Sequence, residues 1–306
     1  MNNHKRNIEI IGFPSDLGAN IRGSCMAPMA IRIADLNRKL EILGYKVNDR
    51  GDVTVPIRES LHQKIQHNKF LFPITQLCKT VRDITQQILK VGSFPLILGG
   101  DHSLAIGSIS GICHHAKLMK KKLGLIWIDA HADINTPESS PSGNIHGMPL
   151  ATILGYGHQE LLSLFCDSNA INPKNIVLIG IRLIDHLEKK ILRESGIRWF
   201  SMRDIDEKGM LQVMKEALAI INDDTSGFHL SFDIDAIDPI YAPGVSTPVT
   251  GGLSLRESHL LLEMIYDSGK LNSMEFVELN PFTDNGSQTA NLVVDLILSA
   301  LGKSIV

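Results

Sequence analysis

The chain has 306 residues, 43% hydrophobic and 21% charged, with a formal net charge of −3. This is an ordinary globular balance with ample length for a core, so a disordered chain is excluded, and the small net charge excludes nucleic acid as the main partner. No run of about 18 apolar residues is present, so no membrane span is expected.

In chain order, short apolar runs of strand character alternate with amphipathic segments. The pattern predicts strand 7–12, helix 28–43, strand 45–48, helix 74–91, and strands 94–98, 123–128 and 176–180. Helix 184–194, strand 197–200, helix 210–221, strand 228–233, helix 255–266, strand 274–279 and helix 290–301 follow. Several strand runs are almost continuously apolar, as in parallel strands buried on both faces. In 74–91 the residues Ile74, Leu77, Val81, Ile84 and Ile88 recur at three- and four-residue spacing, and Gly92 follows as a stop signal. This order predicts an α/β fold of three layers, one parallel sheet of about eight strands flanked by helices. With no linker, repeat or low-complexity stretch, one domain over 1–306 is the simplest organisation. The polar start, 1–8, has no signal-peptide character. Cys25, Cys78, Cys113 and Cys166 lack Cys-x-x-Cys spacing and read as reduced thiols of a cytoplasmic protein.

Three stretches carry the chemistry: Gly99-Gly100-Asp101-His102-Ser103, Asp129-Ala130-His131-Ala132-Asp133, and Ser231-Phe232-Asp233-Ile234-Asp235-Ala236-Ile237-Asp238-Pro239. Each follows a predicted strand. Side chains in a strand repeat with period 2, so Asp129, His131 and Asp133 share one direction, as do Asp233 and Asp235. Taken singly, an Asp-x-Asp after a strand is more often a turn or cap than a ligand. Three such clusters at strand ends are different, because carboxylates converging without a cation repel one another. His102, Asp129, His131, Asp133, Asp233 and Asp235 are too many ligands for one small ion and suit a two-metal site with bridging carboxylates. The absence of thiolate favours Mn²⁺-type ions over structural zinc, with Co²⁺, Ni²⁺ and Fe²⁺ also suited to these ligands. Two such ions lower the pKa of a shared water, which makes hydrolysis the reaction class. In open parallel sheets, ligands bind beyond the carboxyl ends of the strands, where these clusters lie.

The stretch Asp129-Ala-His-Ala-Asp-Ile-Asn-Thr-Pro-Glu-Ser-Ser-Pro-Ser-Gly-Asn-Ile-His-Gly-Met-Pro149 resembles the signature of arginases. The other two motifs resemble those of the wider ureohydrolase family, and the likeness runs from Ile10-Ile-Gly-Phe-Pro14 to Glu278-Leu-Asn-Pro281. The resemblance implies one ureohydrolase domain, an α/β fold and a binuclear Mn²⁺ centre that hydrolyses L-arginine to L-ornithine and urea. One ion is then held by His102, Asp129, Asp133 and Asp233, and the other by Asp129, His131, Asp233 and Asp235. Asp129 and Asp233 would bridge, and Asp133 would double as a catalytic carboxylate. His146 takes the position of a proton shuttle to the leaving amine, and Glu278 that of the partner for the guanidinium. Asn135 and Ser142, with Asn144 close by, match positions that bind an α-carboxylate. Asp185 and Glu188 match positions that receive the α-amino group, Glu188 through water. Thr247 matches a position that contacts metal-bound solvent or substrate. Leu183 departs from the family, many members of which carry an acid there. Arg256, Glu257 and Glu263 match a helix that joins subunits into trimers, which bacterial members can pair into hexamers. The alternatives are another guanidino- or amidinohydrolase, such as agmatinase or formiminoglutamase, and a non-catalytic binding paralogue.

Trp127 reads as core despite standing two residues before a ligand, and Asp101 and Asp238 read as turn residues that orient their neighbours.

Overall fold

The computed structural model describes residues 6–61, 70–166 and 171–304. The polar segment 1–5 considered above lies outside the described residues. Eight strands form one sheet: β1 (Ile8–Gly12), β2 (Val47–Asp52), β3 (Phe94–Leu98), β4 (Gly124–Ile128), β5 (Ile176–Ile181), β6 (Arg198–Ser201), β7 (Phe228–Asp233) and β8 (Leu271–Val277). Their order across the sheet is β2-β1-β3-β8-β7-β4-β5-β6, and each neighbouring pair is parallel. β3, β4 and β7 are buried along their whole length, and β8 over all but its first two residues, because helices cover both faces.

On one face a core cluster joins the sheet to helices Ala27–Ile33, Leu36–Ile42, Met210–Ile221, Leu255–Asp267 and Gln288–Ala300. On the other face, helices Leu71–Lys90 and Leu104–Leu118 pack on the sheet with Pro149–Ile153 and His186–Glu194. The three-layer fold expected from the sequence is therefore present.

Several local expectations differ. The helix predicted over 28–43 is two helices, because Asp35 turns into the left-handed region at φ 71°. Leu104–Leu118 was not expected as a helix, since Gly107, Ser108, Ser110 and Gly111 are weak helix formers that blur its amphipathic stripe. Those glycines serve close packing. A Cβ at Gly107 would stand 2.6 Å from the Cys78 carbonyl oxygen, and one at Gly111 would stand 2.5 Å from that of Arg82. The final strand runs 271–277 and not 274–279, which leaves Glu278 just beyond its end.

The four central strands, β3, β8, β7 and β4, are neighbours in the sheet although far apart in sequence. His102, Glu278, Asp233 and Asp129 leave the carboxyl ends of these four strands, and that adjacency brings the separated motifs together.

Candidate metal centre and substrate cavity

His102 is fully buried, and its Nδ1 faces three carboxylate oxygens: Asp133 Oδ2 at 3.0 Å, Asp233 Oδ2 at 3.2 Å and Asp129 Oδ2 at 3.3 Å. None of these makes a hydrogen bond of acceptable geometry, so Nδ1 is a buried polar atom without a partner. Beside it, His131 Nδ1 lies 3.0 Å from Asp235 Oδ2 and 3.4 Å from Asp129 Oδ1. The donor atoms of His102, Asp129 and Asp133 form one compact group, and those of Asp129, His131 and Asp235 form a second. Asp129 belongs to both, one oxygen toward each imidazole.

The electrostatics show what the cluster lacks. Asp133 is raised to about 6, chiefly by burial and then by Asp129. Asp233 is raised well above the carboxylate range by burial and by its two aspartate neighbours. Burial opposes protonation of His131, yet Asp235 and Asp129 carry it to about 12. These are the shifts of a carboxylate cluster that needs positive charge, taken from protons when no other cation supplies it. Four buried carboxylates, two imidazoles and an orphaned Nδ1 fit a pair of hard-to-borderline divalent ions.

Backbone geometry holds the ligands. Asp129 Oδ1 accepts from the His131 amide at 2.6 Å, and Asp233 Oδ1 accepts from the Asp235 amide at 2.8 Å. Asp133 adopts φ 48° and Glu278 φ 65°, a conformation that costs a non-glycine residue energy and collects at functional sites. Asp235 accepts from the Ala130 amide at 3.2 Å through Oδ1 and from the Thr247 hydroxyl at 2.9 Å through Oδ2. Thr247, expected at substrate or solvent, thus holds a carboxylate of the cluster. Asp233 faces His102 through Oδ2, while its Oδ1 accepts from the backbone.

A cavity of about 300 Å³ opens above the cluster, at the lower end of the range for small-molecule pockets. Its wall includes the expected substrate contacts Asn135, Ser142, Asn144, Asp185, Glu188, Thr247 and Glu278, with His146, Leu183 and four of the six candidate ligands, His131, Asp133, Asp233 and Asp235; His102 and Asp129 lie beneath it. His146 Nδ1 stands 2.9 Å from Glu278 Oε1, which also accepts from the His102 amide at 2.8 Å. Glu278 Oε2 is buried with no partner. Burial opposes protonation of His146, but Glu278 outweighs it and raises the imidazole to about 9.

The polar rim is more committed to itself than the sequence suggests. Asn135 donates to Asp185 Oδ2 at 3.2 Å and accepts from the Ser139 hydroxyl at 2.8 Å. Ser142 Oγ accepts from the Asn144 amide at 3.2 Å. Glu188 is buried and receives the Asp185 amide at 3.1 Å as part of a capping box at the start of its helix, and the Ile134 amide at 3.1 Å from the loop after β4. Burial raises Glu188 to about 7.

Three supporting residues escaped the sequence reading. Trp127 is not core alone: its Nε1 donates to Asp129 Oδ2 at 2.9 Å, and its ring stacks on His102 at 4.1 Å. The signal was its place two residues before Asp129, on the same side of the strand. Arg182 donates to the carbonyls of Asp235 at 2.6 Å and Val249 at 2.7 Å, tying down the loop that carries Asp235. Glu275 sits fully buried in β8, and a charge within an apolar strand run was the available clue. Asp101 and Asp238 behave as expected. Asp101 accepts from the Gly18 and Ser103 amides, and Asp238 from those of Ile240, Gly251 and Gly252.

The sequence model described as "Arginase family" matches residues 6–302. The chain belongs to the arginase family. It is 46% identical to the arginase of Bacillus subtilis (strain 168), across 98% of this chain and 99% of that protein. The solved arginase from Bacillus caldovelox superposes with a TM-score of 0.94 at 44% identity, covering 99% of this chain and 100% of that one. A hypothetical agmatinase from Burkholderia thailandensis, at 24% identity and a TM-score of 0.73, shares the fold alone. Along the described residues, no helix is long and apolar enough to cross a membrane.

Proposed function

We infer that this chain is an arginase, hydrolysing L-arginine to L-ornithine and urea. The observation that carries this is the pair of acid–imidazole groups sharing Asp129, set beside the Glu278–His146 pair at one cavity, in a chain matched over nearly its full length by arginases.

The residues that would hold the metal are His102, Asp129, Asp133 and Asp233 for one ion, and Asp129, His131, Asp233 and Asp235 for the other. The carboxylate-rich, thiolate-free set favours Mn²⁺, and four aspartates balance the charge of two divalent cations. When bound, such a pair acidifies a water so that a nucleophile exists at neutral pH.

The protein's own groups do the rest. The unpartnered Glu278 Oε2 is a buried anion placed for the substrate guanidinium, and such a cation needs a partner once desolvated. His146 holds a proton at neutral pH because Glu278 lies beside it, and it delivers that proton to the departing amine nitrogen. Asp133, facing His102, keeps a carboxylate at the reacting centre. Asn135, Ser142 and Asn144 form the α-carboxylate side of the cavity and Asp185 the α-amino side, with Glu188 fixing the turn beneath Asp185. The proposal includes a homotrimer or homohexamer and a cytoplasmic setting, consistent with four cysteines held in no disulfide.

Urea release by the purified, Mn²⁺-loaded chain tests this, with L-arginine, agmatine and guanidinobutyrate compared at equal concentration. L-Arginine is expected to dominate in kcat/KM. Preference for agmatine would overturn the assignment.

A further inference from the structure

Behind the cluster, a chain of polar side chains is sealed inside the sheet. His102 Nε2 lies 2.8 Å from Ser231 Oγ, and Ser231 donates to Glu275 Oε1 at 2.8 Å. The other oxygen, Glu275 Oε2, accepts from the Ser108 hydroxyl and stands 3.4 Å from His229 Nε2. His102, Ser108, His229, Ser231 and Glu275 are all fully buried. An unexposed carboxylate with no lysine or arginine beside it among the described residues is expensive, which calls for a reason beyond filling space.

Counting protons supplies one. A hydroxyl has a single proton, and both oxygens of Glu275 are met by hydroxyls, as an ionised carboxylate requires. Burial raises the Glu275 carboxyl, but His229 and Ser108 more than reverse that and hold it below the ordinary glutamate value. With its proton committed to Glu275, Ser231 has only lone pairs left for His102. The ring nitrogen facing Ser231 must therefore carry a hydrogen, and in the neutral ring Nδ1 is then a bare lone pair. Nδ1 is the atom surrounded by three carboxylates.

We propose that Glu275 is a positioning residue that acts through Ser231 to fix His102 as the Nε2–H tautomer and aim its Nδ1 lone pair into the metal site. Without Glu275, the Ser231 hydroxyl is free to turn and donate to Nε2. That favours the Nδ1–H tautomer, which cannot ligate. Partners of this kind typically change metal affinity about 10–100-fold when removed. The inference rests on the metal-centre reading above, and the experiment separates the two.

Metal-free full-length protein is titrated with Mn²⁺ by calorimetry, and its thermal midpoint is recorded before metal is added. The wild type is expected to bind two ions. Ser231→Ala and Glu275→Leu are each expected to weaken one of them about tenfold to a hundredfold and leave the other unchanged. The double variant should lose no more than either single one, because both break the same link. Glu275→Gln keeps an acceptor for Ser231 and should recover most of the affinity. Ser108→Ala removes a hydrogen bond to the same carboxylate without touching the link, and should leave both ions bound as before. Unchanged affinity in Ser231→Ala and Glu275→Leu would overturn the proposal. So would equal weakening of both ions in step with a fallen midpoint, or the same loss in Ser108→Ala, since either marks a purely structural carboxylate. A wild type that binds no Mn²⁺ would overturn the metal centre itself, and this inference with it.

Discussion

Asp129→Asn is the most searching single substitution, because every lone pair that matters on this side chain is already committed. Oδ2 accepts from Trp127 Nε1 at 2.9 Å and lies 3.3 Å from His102 Nδ1; Oδ1 accepts from the His131 amide at 2.6 Å and lies 3.4 Å from His131 Nδ1. Asparagine keeps the shape but must point its NH₂ at one of two N–H donors, the indole or the amide, and neither orientation is satisfied. A hydrogen bond to a charged acceptor is worth about 1.5–3 kcal/mol, and an unsatisfied buried donor costs a further 1–3 kcal/mol or so. Together these remove roughly 3–6 kcal/mol from the metal-loaded state. Metal affinity falls by the difference between this loss and that of the metal-free protein, so at about 1.4 kcal/mol per factor of ten the decrease is at most roughly 10²–10⁴. The metal-free protein should suffer less, because the substitution also removes one of several mutually repelling carboxylates. Metal content after equilibrium dialysis, measured beside urea release, checks this: at least one ion and nearly all turnover should be lost. Full occupancy of two ions with a near-normal rate would refute the bridging assignment.

Other expectations follow from the same geometry. His146→Ala should retain both metals and lose roughly 10²–10⁴-fold in kcat, with partial rescue by added imidazole; unchanged turnover would remove His146 from proton delivery. In the metal-free protein the His146 value, raised to about 9, lies above its ordinary 6.5. Its stabilising contribution is therefore complete below pH 6.5 and is lost as pH rises from 6.5 to 9, so His146→Ala should flatten the fall in stability there by about 1.4 kcal/mol per pH unit, read from denaturant melts in chelator. Replacing Asn135 and Ser142 together with alanine should lower kcat/KM for arginine tenfold to a hundredfold per contact, at about 1–3 kcal/mol each, with metal content intact. Equal losses on agmatine would show that the loop supports the cavity and does not read a carboxylate, an outcome given weight by the bond from Asn135 to Asp185. Light scattering should find a trimer or hexamer. Glu257 is spent on the capping box of its helix, so Arg256 and Glu263, paired at 3.5 Å, are the charges left to an interface. Monomer alone at micromolar concentration would refute assembly.

The sequence by itself determined the fold class and named the candidate ligands. Parallel strands buried on both faces are mostly apolar, so the inner ones announce themselves, and a ligand placed just after such a strand inherits its direction from the strand's period of 2. His102, Asp129, His131, Asp133, Asp233 and Asp235 were legible for that reason, and the surrounding motif made His146 and Glu278 legible as well. Only the tertiary structure decided which strands stand side by side, since β3, β8, β7 and β4 are neighbours through crossovers that no local pattern records. It also decided that Trp127 and Arg182 serve the cluster, and that Glu188 and Thr247 brace their neighbours. Helix Leu104–Leu118 was hidden for a related reason: its glycines are poor helix formers in isolation and are explained only by the close approach of Leu71–Lys90. The chain from Glu275 through Ser231 to His102 joins residues 173 positions apart in sequence (275 less 102). A hydrogen bond is a property of a pair, and until the sheet sets β7 beside β8, Glu275 is only a charge out of place in an apolar strand.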